Sequence, residues 1–286
     1  MKTLLLITTI SIGIFFPFAH SYSFLIKYLL MIMLFFSFLN MEVKVKSFTK
    51  NHIALLALNI LIPISSFFII KNYNLELAQV VFITTIAPTA IASPVIISLL
   101  KGKVEFVVIS ILITNFSIAF LLPFILPSIL GSSSTISVFD ILPPVSVVFL
   151  LPYALAKTVK LFIPKLKKSL MNLNKYMFYI LIVNINLGTS NASYYVRQEM
   201  SFSNPIIYQI AIASFVFCLL YFYLGRLVAP KNLRVEGGQS LGQKNNGFSL
   251  WIALAFISPL AVLGPVFYIL FQNIYVSWQL HKQSKK

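Results

Sequence analysis

The sequence predicts an all-α polytopic membrane protein: ten transmembrane helices in two inverted five-helix repeats, with helices four and nine broken. Three observations predict it. First, the 286 residues are 59% hydrophobic and 10% charged, with a mean hydropathy of +0.92, too little polar surface for a water-soluble fold. Second, apolar runs long enough to cross a hydrocarbon core of about 30 Å recur from end to end. Third, two such runs, one in each half, are interrupted by residues that a spanning helix does not carry. Leu77–Leu100 contains Ala87-Pro88-Thr89-Ala90-Ile91-Ala92-Ser93-Pro94, and Gly237–Ile257 contains Ser240-Leu241-Gly242-Gln243-Lys244-Asn245-Asn246-Gly247. Unwound backbone at membrane depth is tolerated only inside protein or along a cavity. A matched pair of interrupted segments is the sequence signature of a transporter's binding site.

The spans follow in order. Leu4–Phe18 is the first; with Lys2 and Ala19-His20-Ser21 it also reads as a signal peptide and cleavage site, but its loss would break the five-plus-five symmetry. Phe24–Leu39 and Ile53–Ile70 are the second and third, and the broken Leu77–Leu100 is the fourth. Lys101-Gly102-Lys103 leads at once into the fifth, Val104–Leu130. The second half runs Ile141–Ile163, Tyr176–Val196, Pro205–Val228, the broken Gly237–Ile257, and Pro259–Leu280. Residues 1–130 and 131–286 are then the two repeats. Five spans per half make the second copy enter from the opposite side, the inverted arrangement of many secondary transporters. The connection Pro164–Lys175, with Lys165, Lys167, Lys168 and Lys175, reads as a loop against anionic lipid headgroups.

Charge orients the bundle. With the termini and the even-to-odd connections on one side, that side holds eighteen of the 22 basic residues. The other side has Lys27, Lys71 and Arg197, and Lys244 stays within the membrane. Positive residues mark the cytoplasmic face, so both termini are expected there. The net charge of +16 is thereby explained by topology. Nucleic-acid binding would need those residues on a soluble domain. The single cysteine, Cys218, excludes an internal disulfide. His20, His52 and His281 are scattered on loops and ends, and the six acidic residues lie near membrane borders. No metal site, cofactor or catalytic set is expected, and an enzyme is disfavoured. Glu105 and Glu236, near inner helix ends, are placed to pair with lysines. Asn59 and Asn115 either line a pathway or bond across helices.

Phe15-Phe16-Pro17, Asn59 to Pro63, Ala87-Pro88 with Ala92-Ser93, Leu99-Leu100-Lys101-Gly102-Lys103-Val104, Gly242-x-x-Asn245-x-Gly247 and Gln272-Asn273 stand in the order and spacing of one family. Through them nearly the whole chain resembles the bile acid:sodium symporter family, in a divergent, bacterial-type form. The resemblance implies a core of helices three to five and eight to ten and a panel of helices one, two, six and seven. It also implies that helices four and nine cross at their breaks, that organic anions pass between core and panel, and that the protein sits in a bacterial plasma membrane. Departures from the family fall on its sodium ligands. Ser240 and Lys244 stand where sodium-coupled members carry Glu and Gln, Ser93-Pro94 replaces Ser-Asn, and Val107 and Ile111 replace two hydroxyl residues. Only Ser93 survives. Sodium leaving water needs several oxygen ligands, so the family's usual sodium sites are expected to be absent.

These readings give a candidate solute site at the two breaks: Thr89, Ser93, Gln243, Asn245 and Asn246, with Asn115. There, exposed N–H groups at half-helix N-termini would favour an anion. Lys244 and Ser240 are the coupling candidates. A charge at bilayer depth is costly unless paired or hydrated. The Lys244 ammonium either reaches the cytoplasmic face or Glu236, or else occupies the missing cation's place against carbonyl and Asn groups, where it can release and regain a proton. The expected function is transport of a small organic anion without the usual sodium sites, by uniport or proton coupling. A symporter with relocated sodium sites and a non-transporting sensor or partner-binding relative are the alternatives.

Overall fold

A computed structural model describes residues 2–41, 48–131, 135–200 and 203–284. Among them the helices are α1 (Lys2–Phe15), α2 (Leu25–Asn40), α3 (Lys50–Ile70), α4 (Leu75–Ile86), α5 (Ser93–Leu99), α6 (Val104–Leu130) and α7 (Val138–Phe162). They continue as α8 (Pro164–Met171), α9 (Met177–Glu199), α10 (Pro205–Val228), α11 (Arg234–Gly242), α12 (Asn246–Ile252) and α13 (Leu263–Ser284), with short 3₁₀ and π turns between some of them. Five stretches, α3, α6, α7, α10 and Leu260–Gln283, are long and apolar enough to cross a membrane. Leu4–Phe15, Leu25–Asn40, Leu75–Ile86 and Asn246–Ile257 are shorter apolar helices. Large apolar side chains also point outward in number, among them Phe139 at 82% and Ile69 at 76% exposure, a surface suited to hydrocarbon. The protein is a helical integral membrane protein.

Local chemistry sets the helix ends. Asn74 accepts the Leu77 N–H at 2.8 Å to start α4, and Ser137 and Asp140 form a reciprocal capping box on α7. Thr49 and His52 do the same on α3. His52 is therefore not a loop residue: it is buried, its Nε2 3.0 Å from the Phe106 carbonyl of α6. Pro164 opens α8, because proline's missing N–H costs nothing in a first turn. The expected loop there is thus mostly helix.

The turn between α5 and α6 follows from Lys101-Gly102-Lys103. Lys101 takes a left-handed conformation (φ 57°), and the Gly102 N–H returns 2.9 Å to the Ile97 carbonyl, a helix-ending Schellman turn. Glu236 at the start of α11 then accepts the Lys103 N–H at 2.7 Å. A side chain on Gly102 would collide with that carboxylate. Glu236 thus binds a lysine's backbone.

Helices α10 and α11 pack most closely. A side chain on Gly225 would strike the Gly237 carbonyl, one on Gly237 would strike Gly225, and one on Gly242 would strike the Phe222 ring. Gly238 and Gly242 form a small-xxx-small pair, the spacing that lets membrane helices approach closely. Side-chain bonds tie helix ends together at both ends of the bundle. Asn51 Nδ2 donates to the Val228 carbonyl at 2.6 Å and Gln239 Nε2 to Gln279 Oε1 at 2.5 Å at one end. Gln209 Nε2 donates to Tyr73 Oη, and Gln79 Nε2 to the Ile129 carbonyl, both at 3.1 Å, at the other.

Candidate functional site

Both interruptions are shorter than the sequence indicated. α4 stops at Ile86 because Pro88 removes an N–H and biases Ala87 to extended backbone (ψ 136°). Ser93 and Pro94 belong to the first turn of α5, leaving residues 87–92 unwound. In the second segment only Gln243, Lys244 and Asn245 are unwound. Ser240, Leu241 and Gly242 finish α11, and Asn246 and Gly247 begin α12, capped by Asn245 Oδ1 at 3.4 Å from the Phe248 N–H.

The two unwound stretches cross and pair. Thr89 and Lys244 form an isolated antiparallel β-bridge. The Ala90 N–H donates to the Gln243 carbonyl and the Asn245 N–H to the Pro88 carbonyl, both at 2.8 Å. Each break thus supplies the partners that lipid cannot. Side chains take most of the remaining backbone groups. Thr114 Oγ1 accepts the Thr89 N–H at 3.0 Å, and Asn115 Nδ2 donates to the Thr89 carbonyl at 3.1 Å. Thr89 Oγ1 donates to the Ser240 carbonyl at 2.6 Å, and Tyr268 Oη to the Gly242 carbonyl at 2.8 Å. Gln272 Oε1 accepts the Lys244 N–H at 2.8 Å. Ser93 Oγ joins the breaks a second time, 2.7 Å from Gln243 Oε1. The backbone groups expected to be open to a solute are therefore largely occupied by the crossing itself.

What remains open is side-chain chemistry. Asn115 Oδ1, Ser240 Oγ, Asn245 Nδ2 and Asn246 Oδ1 are buried and have no protein partner among the described residues. Each such atom costs about 1–3 kcal/mol. Asn184 of α9 is wholly buried with both amide atoms unpartnered. Its Nδ2 lies 3.5 Å from where a side chain on Gly247 would begin. Sequence reasoning missed Asn184. It lies in Asn184-x-Asn186 on a span whose polar residues gave no sign of which face meets the crossing.

Lys244 is 1% exposed, and no carboxylate pairs with it among the described residues. Its ammonium donates to Asn59 Oδ1 of α3. It lies over the Tyr221 ring of α10, 3.8 Å from the centroid, a cation–π contact that is worth most when desolvated. Asn59 in turn donates through Nδ2 to the Ile86 carbonyl at 3.3 Å, the last of α4. The ammonium therefore neither snorkels to a membrane surface nor reaches Glu236, which holds Lys103. It is one of the tethers of the crossing.

The structure brings together all eight sequence-derived site residues, Thr89, Ser93, Asn115, Ser240, Gln243, Lys244, Asn245 and Asn246, each at most 5% exposed. It adds Asn59, Thr114, Tyr221, Asn184 and Gln272. Val107 and Ile111 are fully buried apolar residues of α6. The hydroxyl that α6 brings to the crossing is that of Thr114, three residues beyond Ile111. Thr114 Oγ1 is 3.0 Å from Thr89 Oγ1 and 2.8 Å from the Ser110 carbonyl, whereas Ser110 Oγ turns back on its own helix, 3.2 Å from the Phe106 carbonyl.

No family model matches this chain, and no curated protein matches its sequence at a significant level.

Proposed function

We propose that the protein is a secondary transporter of a small organic anion, seen with its site occluded. It reads as ten passes in two inverted repeats, α4–α5 and α11–α12 being the broken fourth and ninth. The observation that carries this reading is the pairing of the two breaks, Thr89 against Lys244. A membrane protein needing only stability would use two unbroken helices. Two breaks bonded to each other, ringed by unpartnered Asn and Ser atoms, are a costly arrangement that a bound solute would relieve. Thr89, Ser93, Asn115, Gln243, Asn245 and Asn246 would supply its hydrogen bonds as the panel moves off the core, with Asn184 facing them from α9. Lys244 would supply the positive charge that sodium supplies in the family the sequence resembles, held by Asn59 and Tyr221. Transport would then be sodium-independent, by uniport or with Lys244 exchanging a proton; Ser240, four positions before it and with no hydroxyl partner among the described residues, would be the candidate relay. Termini on the cytoplasmic face complete the reading.

Uptake into proteoliposomes tests it, with a panel of steroid, keto acid and pantoate-like anions. One of them should enter saturably, at the same rate when choline replaces sodium. Thr89→Val and Asn245→Leu should lower that uptake at least about tenfold, the weight of one or two buried hydrogen bonds, with the variants still folded and inserted. Lys244→Gln should impair uptake or alter its pH dependence. Saturable uptake abolished by choline would retain the transporter and remove the role of Lys244. Absence of uptake of every anion tested would favour a non-transporting relative.

A further inference from the structure

Away from the crossing, α2 and α7 enclose an outward-facing groove of about 260 Å³ with wholly apolar walls. Met31, Ile32 and Phe35 line it on α2, and Leu151, Pro152 and Leu155 on α7. Both helices finish at the same end of the molecule. There Lys160 Nζ donates to the Met41 carbonyl at 2.5 Å, and Asn40 and Asn174 exchange amide hydrogen bonds at 2.8 and 2.9 Å. At that end lies α8. Leu170 packs against the protein core, while Lys165 and Lys168 are exposed and Lys167 is partly so. Lys175 follows, also exposed, and residues 164–175 contain no acid. Leu155 lies seven residues, about 10 Å along the helix, below the end of α7. A lipid whose headgroup rests on α8 reaches the groove with its first methylenes.

We propose that this surface is a binding site for an anionic phospholipid, its acyl chain in the α2–α7 groove and its phosphate on Lys165, Lys167 and Lys168 of α8. Groove and charge do separate jobs. Apolar walls retain any acyl chain, whereas an acid-free cationic helix at the headgroup level discriminates by charge. The site is independent of the transport reading.

Native mass spectrometry and thermal unfolding of the delipidated full chain in detergent test it. Phosphatidylglycerol should bind as a discrete adduct at least about tenfold more tightly than phosphatidylcholine, the weight of two or more lysines at a headgroup, and raise the unfolding temperature. K165Q/K167Q/K168Q should lose the preference yet keep weak binding of both lipids. Leu155→Trp should reduce retention of both. Lys101→Gln together with Lys282→Gln, charges placed elsewhere, should change nothing. Equal affinity for the two lipids would overturn the proposal. So would unchanged binding in the triple variant or in Leu155→Trp, displacement of the lipid by water-soluble glycerol phosphate, or a dimer that Leu155→Trp dissociates.

Discussion

At the scale of the residue, the buried ammonium of Lys244 depends on one acceptor among the described residues. Asn59 Oδ1 takes its hydrogen bond while Asn59 Nδ2 takes the Ile86 carbonyl, so one amide satisfies both a charge and a broken helix end. Asn59→Leu should cost about 3–5 kcal/mol, the usual penalty for stripping the partner from a buried charge. Lys244→Met alone should cost less, since the charge leaves with the side chain. Combined, the two should cost much less than their sum. Thermal unfolding of the four proteins in one detergent reads that coupling, and additive losses would show that the contact carries little energy. Lys244 was legible in the sequence as a misfit, an ionised residue in an apolar segment. Its partners were not, because Asn59, Tyr221 and Gln272 come from α3, α10 and α13, and no local pattern registers one helix against another. The α6 hydroxyl at the crossing shows the same limit. Aligned spacing points to Val107 and Ile111, but a helix offers a new face every residue, and Thr114 is the residue that meets Thr89.

At the scale of the element, the positions of the helices were readable from hydropathy and proline, and the lengths of the breaks were not. Gly242, Asn246 and Gly247 read as helix-breakers, yet each lies in a helix. Gly242 is needed because Phe222 occupies the space its side chain would take, and Asn246 and Gly247 form a first turn that Asn245 caps. The α10–α11 contact was likewise hidden, since a glycine's close approach appears only once its neighbour is known. Gly237→Val should therefore be worse than its size suggests. The added atoms meet the backbone of Gly225, which cannot rotate away, so the helices must separate and displace Ser240 and Gly242 from their bonds to Thr89 and Tyr268. The expected loss is about 3 kcal/mol or more in thermal unfolding, beyond ordinary overpacking. Lys282→Ala, an exposed change, serves as the reference. A Gly237→Val protein as stable as wild type would show that α10 and α11 adjust independently of the crossing.

At the scale of the whole molecule, the uneven distribution of basic residues predicts orientation. Single cysteines placed at Lys167 and at Lys71 on a Cys218→Ala background should differ in reach: an impermeant maleimide applied to intact cells should label position 71 and not position 167. Cys218 is fully buried in an apolar cluster, so alanine there leaves no hydroxyl without a partner. Labelling at 167 would invert the topology. The bridge between the breaks bears on how such a chain is made. Thr89 and Ser240 are 151 positions apart, and Ser93 and Gln243 are 150. The first break thus leaves the ribosome long before its partner exists. At the usual pace of about 5–20 residues per second, Pro88 and Thr89 wait many seconds with backbone groups that hydrocarbon cannot satisfy. The first half is thereby held back from completing its own structure. The last stretches synthesised close the assembly, and a chain halted before Gln243 is a natural substrate for membrane quality control.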